Sequence, residues 1–455
     1  MDPDSSSFTI LGAGRSGIAA AALLKKNGFK VFLSEENPEE NLKYFRKDIL
    51  TDDNIEYETG GHSDKIFEND VFIVSPGISP ESEVIKKASA LGKKIYSERE
   101  IAFRFCKCPV IAITGTNGKT TTAVLTGDIF KNAGYDTKVC GNVGVAFSEI
   151  VGELKEDSIV VLEVSSYQLE YTEKFRPEVS VILNITPDHI DWHKSFKNYL
   201  NAKGKIRENQ MQTDLSVINF DDKILREDLK STDAENAYFS IYEDLKDSET
   251  KKGCMVAEGN IIYFDKNKNV NEVIMKTSEI NIRGNHNLYN SLAAVISARA
   301  FNIKKEIIRD TLISFKGVEH RIEFVRELNG VKYYNDSKAT NIDSMLVALE
   351  TFDKNVILII GGREKGNDYS LADKLISEKV KLVIALGETS KKITDYFSGK
   401  VKCMSAVTIE DAVRISFENG ATGDTVLLSP ACKSFDMFDS YEHRGTEYKK
   451  FVNKL

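Results

Sequence analysis

The residues best equipped for chemistry fall in one run, Thr114-Gly-Thr-Asn-Gly-Lys-Thr-Thr121. Gly115 and Gly118 let the loop backbone around Thr116 and Asn117 approach a phosphate chain. The helix expected from Lys119 adds the positive end of its dipole. Lys119 can then reach β- and γ-phosphates, and the Thr120 hydroxyl, beside Thr121, can ligate Mg²⁺. The general phosphate-loop pattern wants a glycine five residues before Gly118, where this chain has Ile113. An ordinary glycine-rich turn would not require Gly-Lys-Thr at a helix start, so the run reads as a nucleotide-phosphate loop.

Other candidates gather where further strands should end. Glu163 lies in the apolar run Ile159–Val164, where an unpaired carboxylate is costly; a Mg²⁺ ion or a Lys or Arg partner would resolve that cost. Asn142, Ser165 and Asp188-His189 follow three such runs. His189 and His193 are spaced i, i+4, but no His-Glu-x-x-His arrangement accompanies them, and zinc is disfavoured. Lys203 reads as a helix lysine, and spacing alone gives no reason to choose it over Lys205. Asn287 and Asn290 share one helix face, where their amides could bond an adenine or ribose or cap the helix. Lys338, Arg363, Lys365 and Lys433 follow strand ends near the C-terminus. Together they suit an anionic ligand or a transferring phosphoryl group; separately they are ordinary surface charges.

The elements that must position these residues alternate between β-formers and helical stretches. The strand Phe8–Leu11 runs into Gly12-Ala-Gly14-Arg15-Ser16-Gly17 and an alanine-rich helix, and a second strand, Lys30–Leu33, ends at Ser34-Glu35. This is a dinucleotide-binding fingerprint in its proper setting. A further strand, Val71–Val74, ends at Ser75-Pro76-Gly77. Only about 100 residues precede the phosphate loop, too few for a full six-stranded dinucleotide domain, so another nucleotide-bearing molecule is expected there. Strands at Thr137–Cys140, Ser158–Val164 and Val179–Ile185 continue the middle segment, and residues 234–282 read as a small antiparallel excursion turning at Glu258–Asn260. Four more strands follow residue 317. The expected fold is α/β in three domains: 1–107 Rossmann-like, 108–316 a P-loop ATPase-type, mostly parallel sheet, and 317–455 Rossmann-like, with hinges near 107 and 316.

Composition narrows the classes. A chain of 455 residues with net charge −8 and 41% hydrophobic residues is globular in type and carries no basic footprint for nucleic acid. No apolar run reaches membrane-spanning length, and the acidic, polar start Met1–Ser7 is unlike a signal peptide. The six cysteines form no Cys-x-x-Cys and read as reduced thiols of a cytoplasmic protein. A monomer is expected.

The set Thr114–Thr121, Glu163-Val-Ser-Ser-Tyr-Gln-Leu169, Asp188-His-Ile-Asp191, Gly284-Asn-His-Asn-Leu-Tyr-Asn290 and His320-Arg321 resembles the Mur ligases of peptidoglycan assembly and their folylpolyglutamate synthetase relatives. Asn335–Asn341, Leu428–Asp436 and Glu442–Gly445 resemble the D-glutamate-adding branch. The Ile113 departure fits that family's version of the loop. The resemblance implies an amide ligase in which ATP phosphorylates the L-alanine carboxylate of UDP-N-acetylmuramoyl-L-alanine and the D-glutamate amine attacks the acyl phosphate. By the same resemblance Lys119 holds the phosphates, and Thr120 and Glu163 ligate one Mg²⁺. His189 and a carbamylated Lys203 would serve a second. Asn287, Asn290, Arg321 and Asp336 surround the nucleotide, while Asn142 and Ser165 meet the substrate. Lys338, Thr340, Lys365, Ser434 and Phe435 hold D-glutamate. The turn at Gly14, Arg15 and Ser16, with Ser34, Ser75, Pro76 and Gly77, takes UDP. The family has Asp-Thr-Arg where this chain has Ser34-Glu35-Glu36, which leaves the uracil contacts open. Competing readings are a sister ligase, the folate enzyme, an NAD-dependent oxidoreductase resting on the Gly12–Gly17 turn alone, and a non-catalytic nucleotide switch.

Overall fold

The computed structural model describes residues 7–42, 45–142, 144–364 and 366–455. Three sheets organise them. The first is five-stranded and wholly parallel, in the order Glu56–Thr59, Lys30–Glu35, Ser7–Leu11, Val71–Val74, Lys94–Ser97. Its strand order reverses between Ser7–Leu11 and Val71–Val74, and the crevice for a ligand in such a sheet opens past the carboxyl ends at that reversal. The Gly12–Gly17 and Ser75–Gly77 turns lie there.

The second sheet has nine strands. Val110–Thr114, third from one edge, runs parallel to Ile159–Glu163 on one side and Val179–Ile182 on the other. All five of its residues are buried, as a run of β-formers without polar alternation should be when helices cover both faces. Lys252–Ala257, Asn260–Asp265 and Val270–Lys276 add an antiparallel edge, turning at Glu258-Gly259 as the sequence suggests. The helix Asn285–Ala300 is buried without interruption from Asn290 to Ala298; its heavy use of alanine and serine keeps it narrow enough for that position. The third sheet runs Glu323–Leu328, Val331–Asn335, Thr425–Leu428, Val356–Gly361, Val380–Leu386, Lys402–Ser405, with only the first pair antiparallel.

By internal contacts the chain forms two compact units: the described residues up to Asn281 with Asn287–Ser314, and Ile282–His286 with Phe315–Leu455. The first unit holds two sheets, and residue 107, expected at a hinge, lies inside it. The helix Glu98–Phe105 explains why. Three consecutive charged residues of its first turn, Glu98, Arg99 and Glu100, are buried and grip the segments around the second sheet. A Glu98 carboxylate oxygen accepts the Ser148 N–H at 2.7 Å. Arg99 donates to the Gln168 carbonyl at 3.1 Å and stacks 3.8 Å above the Phe175 ring. Glu100 accepts the backbone N–H groups of Glu173, Lys174 and Phe175 at 2.9–3.1 Å, and Arg104 at 3.0 Å. Among the described residues no helix is long and apolar enough to cross a membrane.

Candidate active site

The phosphate loop is held from both sides. Asn184, just past Val179–Ile182, accepts the Asn117 N–H through Oδ1 at 2.8 Å and donates Nδ2 to the Asn117 carbonyl at 3.0 Å, while its own carbonyl accepts the Thr116 N–H. Those two loop N–H groups are therefore committed within the protein. The helix Lys119–Asn132 starts directly after them, and its N-terminal end is the part of the loop whose dipole suits an anion. On the other side Asn290 Oδ1 accepts the Thr122 hydroxyl at 3.1 Å, and Asn290 Nδ2 donates to Asn287 Oδ1 at 3.1 Å. Gly118 sits at φ +86°, and a Cβ there would collide with Asn290 Oδ1. Asn290 thus meets the loop directly, and Asn287 bonds to it through Asn290.

Two lysine amines converge beneath the loop. Lys119 Nζ donates to the Gly115 carbonyl at 2.9 Å and to that of Thr116 at 2.7 Å. Lys203 Nζ, from the helix Phe196–Gly204, donates to the same Gly115 oxygen at 2.8 Å and lies 4.8 Å over the Tyr199 ring. Lys203 is 2% exposed. Burial, then repulsion from Lys119, depresses its pKa well below the usual lysine value, with Asp188 and Glu163 only partly opposing. Lys205, two residues on, lies away from the loop and pairs with Glu170 at 3.2 Å.

Glu163 is buried, and no Lys or Arg pairs with it among the described residues. Its Oε1 accepts Asn142 Nδ2 at 2.9 Å, and its Oε2 has no hydrogen-bond partner among the described residues. An oxygen left bare in a dry site is what a Mg²⁺ ion requires, since that ion takes carboxylate and hydroxyl oxygens. The adjoining turn is ordered by Gln168 Oε1, which accepts both the Ser165 N–H at 3.0 Å and the Ser165 hydroxyl at 3.1 Å.

The two histidines part company. His193 is buried, with Nε2 2.9 Å from Ser166 Oγ and its ring stacked on Tyr167; burial and the nearby positive charges lower its pKa to about 4. His189 caps the four-residue helix Ile190–His193 in a left-handed conformation, exposed, 3.5 Å from Asp188. A zinc pair is not built. The one group of His and carboxylate atoms near enough for an ion among the described residues is Glu319, His320 and Glu323, and Lys449 already bridges its two carboxylates.

In the first sheet Gly14, Arg15 and Ser16 begin the helix Arg15–Lys26. Gly14 is exposed, with open space where a Cβ would stand, and Arg15 donates to the Gly144 carbonyl at 3.1 Å. Ser75 donates to the Gly12 carbonyl, while Pro76 and Gly77 are half-buried and exposed. Ser34 is buried, with its hydroxyl engaged by Glu58 and His62. Glu35, the acidic residue of the fingerprint, accepts the Ala13 N–H at 2.8 Å and both nitrogens of Asn37 at 2.9 Å. Although burial opposes it, these bonds hold its carboxyl below the usual range. A carboxylate so occupied is not presented to a nicotinamide dinucleotide's ribose.

In the second unit the strand ends are laced together. Asp336 is buried; Oδ2 accepts the Ser429 hydroxyl at 2.8 Å and Oδ1 the Ile322 N–H at 3.2 Å. Burial raises its pKa to about 7, against the pull of the Arg321 guanidinium. Arg321 Nε is itself buried without a hydrogen-bond partner among the described residues. Lys338 and Thr340 are half-buried on the loop after Val331–Asn335; Ser434 is buried and Phe435 exposed on the loop after Thr425–Leu428. On a third loop, after Val356–Gly361, the Arg363 N–H donates to the Lys433 carbonyl at 2.9 Å and ties that loop to the one after Thr425–Leu428. Lys365 lies outside the described residues. Arg444, which lies in the Glu442–Gly445 motif but was given no role from sequence, joins the loops after Val331–Asn335 and Thr425–Leu428: it donates to Ser337 Oγ at 2.9 Å, to the Ser337 carbonyl at 2.7 Å and to the Cys432 carbonyl at 3.2 Å. In the otherwise charged, surface-like run Tyr441–Lys454 nothing local signals that it is buried.

A phosphate loop with a bare buried carboxylate, carried on a nine-stranded sheet in a chain with two further, smaller and mostly parallel sheets, defines a class of nucleotide-dependent enzyme. Comparison with known proteins agrees with it. Residues 8–84 match the MurD N-terminal domain, 113–298 the Mur ligase middle domain, and 320–432 the Mur ligase glutamate ligase domain. The chain belongs to the Mur ligase family. The UDP-N-acetylmuramoylalanine--D-glutamate ligase of Salinibacter ruber is 42% identical, covering 98% of this chain and 97% of its own. The enzyme of that name from Caldicellulosiruptor saccharolyticus is 42% identical over the full length of both. The fold is shared with a MurF ligase from Thermotoga maritima solved in complex with ADP, with TM-score 0.60 at 17% identity, covering 93% of this chain and 95% of that one.

Proposed function

We propose that this chain is the ATP-dependent ligase that joins D-glutamate to UDP-N-acetylmuramoyl-L-alanine through an acyl phosphate, a cytoplasmic step of peptidoglycan synthesis. The observation that carries the reading is the charge arrangement under the phosphate loop: two lysine amines sharing one carbonyl oxygen, beside a buried carboxylate with one bare oxygen. Amines crowded in this way are relieved by an incoming polyphosphate, and the bare oxygen by a divalent cation. A carboxylate is a poor electrophile, so activating it demands alignment and charge neutralisation more than a nucleophilic side chain.

In this reading residues 1–107 hold UDP, 108–316 hold ATP and 317–455 hold the amino acid. Lys119 follows the β- and γ-phosphates, Asn287 and Asn290 support the nucleotide from the loop's flank, and Arg321 with Asp336 complete its surroundings. Thr120 and Glu163 supply oxygen ligands to Mg²⁺, which when bound neutralises charge on the phosphates. His189 and Lys203 serve a second ion once Lys203 carries a carbamate. The depressed basicity of Lys203 favours that modification, because only the neutral amine attacks CO₂, forming N–COO⁻ and releasing a proton. Asn142 both orients Glu163 and faces the substrate with Ser165. Lys338, Thr340, Lys365, Ser434 and Phe435 receive D-glutamate, whose amine attacks the activated carbonyl while phosphate leaves.

The acyl phosphate leaves an isotopic record. With ¹⁸O in the L-alanine carboxylate of the substrate, one labelled oxygen should appear in the released phosphate. Phosphate free of label, alongside amide product, would exclude this route.

A further inference from the structure

At the carboxyl ends of Lys30–Glu35 and Glu56–Thr59 sits a cluster of which only Ser34 has so far been given a role. Ser34 Oγ lies 2.6 Å from Glu58 Oε1 and 2.7 Å from His62 Nδ1. The Ser63 N–H also donates to Glu58 Oε1, at 2.9 Å. Burial works against the charged form of Glu58, but these bonds hold its carboxyl below the usual range. A carboxylate only accepts, so the single hydroxyl proton of Ser34 belongs to Glu58. Ser34 Oγ can then only accept from the imidazole, which fixes the proton of His62 on Nδ1. The other nitrogen, Nε2, is left as a lone-pair acceptor, and no hydrogen bond to it is formed among the described residues. The ring is half-buried.

The position matters as much as the tautomer. In a doubly wound sheet of this order the nucleoside of a bound nucleotide lies beyond the end of the second strand, read by the acidic residue there. Here that residue, Glu35, is committed to Ala13 and Asn37. The free polar atom nearest in the network is His62 Nε2, on the turn after Glu56–Thr59, tethered directly to the end of Lys30–Glu35.

We propose that His62 reads the base of the UDP-linked substrate, its bare Nε2 accepting the N3–H of uracil. The inference rests on the assignment of the first sheet to UDP. Cytosine presents a lone pair at N3 instead of a proton, so the same nitrogen would repel it. The Ser34–Glu58 pair acts as a positioning device that selects the tautomer with its lone pair at Nε2.

Calorimetric titration of the full chain with UDP, CDP and N3-methyl-UDP tests this, using His62→Asn and His62→Gln. Asparagine can reproduce the Nδ1 bond to Ser34 but has no atom at the reach of Nε2; glutamine places an amide oxygen near it. The wild type should prefer UDP over both analogues by roughly tenfold or more, the worth of one well-made hydrogen bond and its loss. His62→Asn should lose that preference with its thermal midpoint and ATP affinity retained, and His62→Gln should recover part of it. An unchanged UDP-to-CDP ratio in the folded Asn variant would overturn the role of His62 alone. Failure of the wild type to bind UDP at all would overturn the UDP assignment of the first sheet and this inference with it.

Discussion

Lys203 and Glu163 are costly as they stand: one is a buried amine close to another amine, the other a buried carboxylate with half its bonding capacity unmet. Residues held in such states are frequent at functional sites. If Lys203 acts as a carbamate, enzyme stripped of CO₂ should lose most of its activity and regain it with bicarbonate, and ¹³C-bicarbonate should give a carbamate resonance absent from Lys203→Arg. Activity indifferent to bicarbonate, with no such resonance, would refute the modification. Glu163→Gln separates stability from function. Removing an unpaired buried charge should leave the thermal midpoint of the nucleotide-free protein unchanged or higher. Phosphate release should fall roughly 10²–10³-fold, the usual scale for loss of a preorganised electrostatic group. A parallel fall in both would mean that Glu163 is merely structural.

At the scale of elements, the helix Glu98–Phe105 binds the first two sheets into one unit through buried charges as well as apolar contact, Phe103 standing edge-on to Phe175 at 5.2 Å. Glu100→Ala would leave three backbone N–H groups without their acceptor and take from the half-buried Arg104 one of its two carboxylate partners, Glu173 being the other. It should cost about 3–5 kcal/mol by denaturant unfolding, the range for breaking a buried ion pair from one side. A change below 1 kcal/mol, the ordinary worth of a surface pair, would show that the clamp is not what joins the sheets. This helix also marks where sequence reading ran out. The motif-bearing strands, Ser7–Leu11, Val110–Thr114, Ile159–Glu163 and Thr425–Leu428, were legible because each is an apolar run ending in a glycine or polar turn. Glu56–Thr59, Lys94–Ser97, Glu323–Leu328 and Lys402–Ser405 were not. They are short and mostly at sheet edges, where charge is tolerated and the apolar signal is diluted. Leu215–Asn219 is wholly buried and its Leu-Ser-Val-Ile run could have been recognised. Burial of Glu98, Arg99, Glu100 and Arg444 had no local signal at all, because only tertiary partners make such charges affordable.

The chain forms two compact units, and the proposed function gives selection of the incoming amino acid to the second. The phosphate loop says only that a nucleotide is used. Discrimination of the incoming amino acid is assigned to the loops after Val331–Asn335 and Thr425–Leu428, which Arg444 and the Asp336–Ser429 bond fix against each other. The site was legible as a list of motifs, since each follows a strand. Its wiring, with Lys119 and Lys203 on one carbonyl and Asn290 against Gly118, depends on contacts across 88 and more residues of sequence and was not. The account's central claim is tested most directly by phosphate release from ATP and UDP-N-acetylmuramoyl-L-alanine with each candidate amino acid in turn. It predicts release stimulated by D-glutamate and not by L-glutamate, L-alanine or a diamino acid. Equal stimulation by these, or none by D-glutamate, would contradict it.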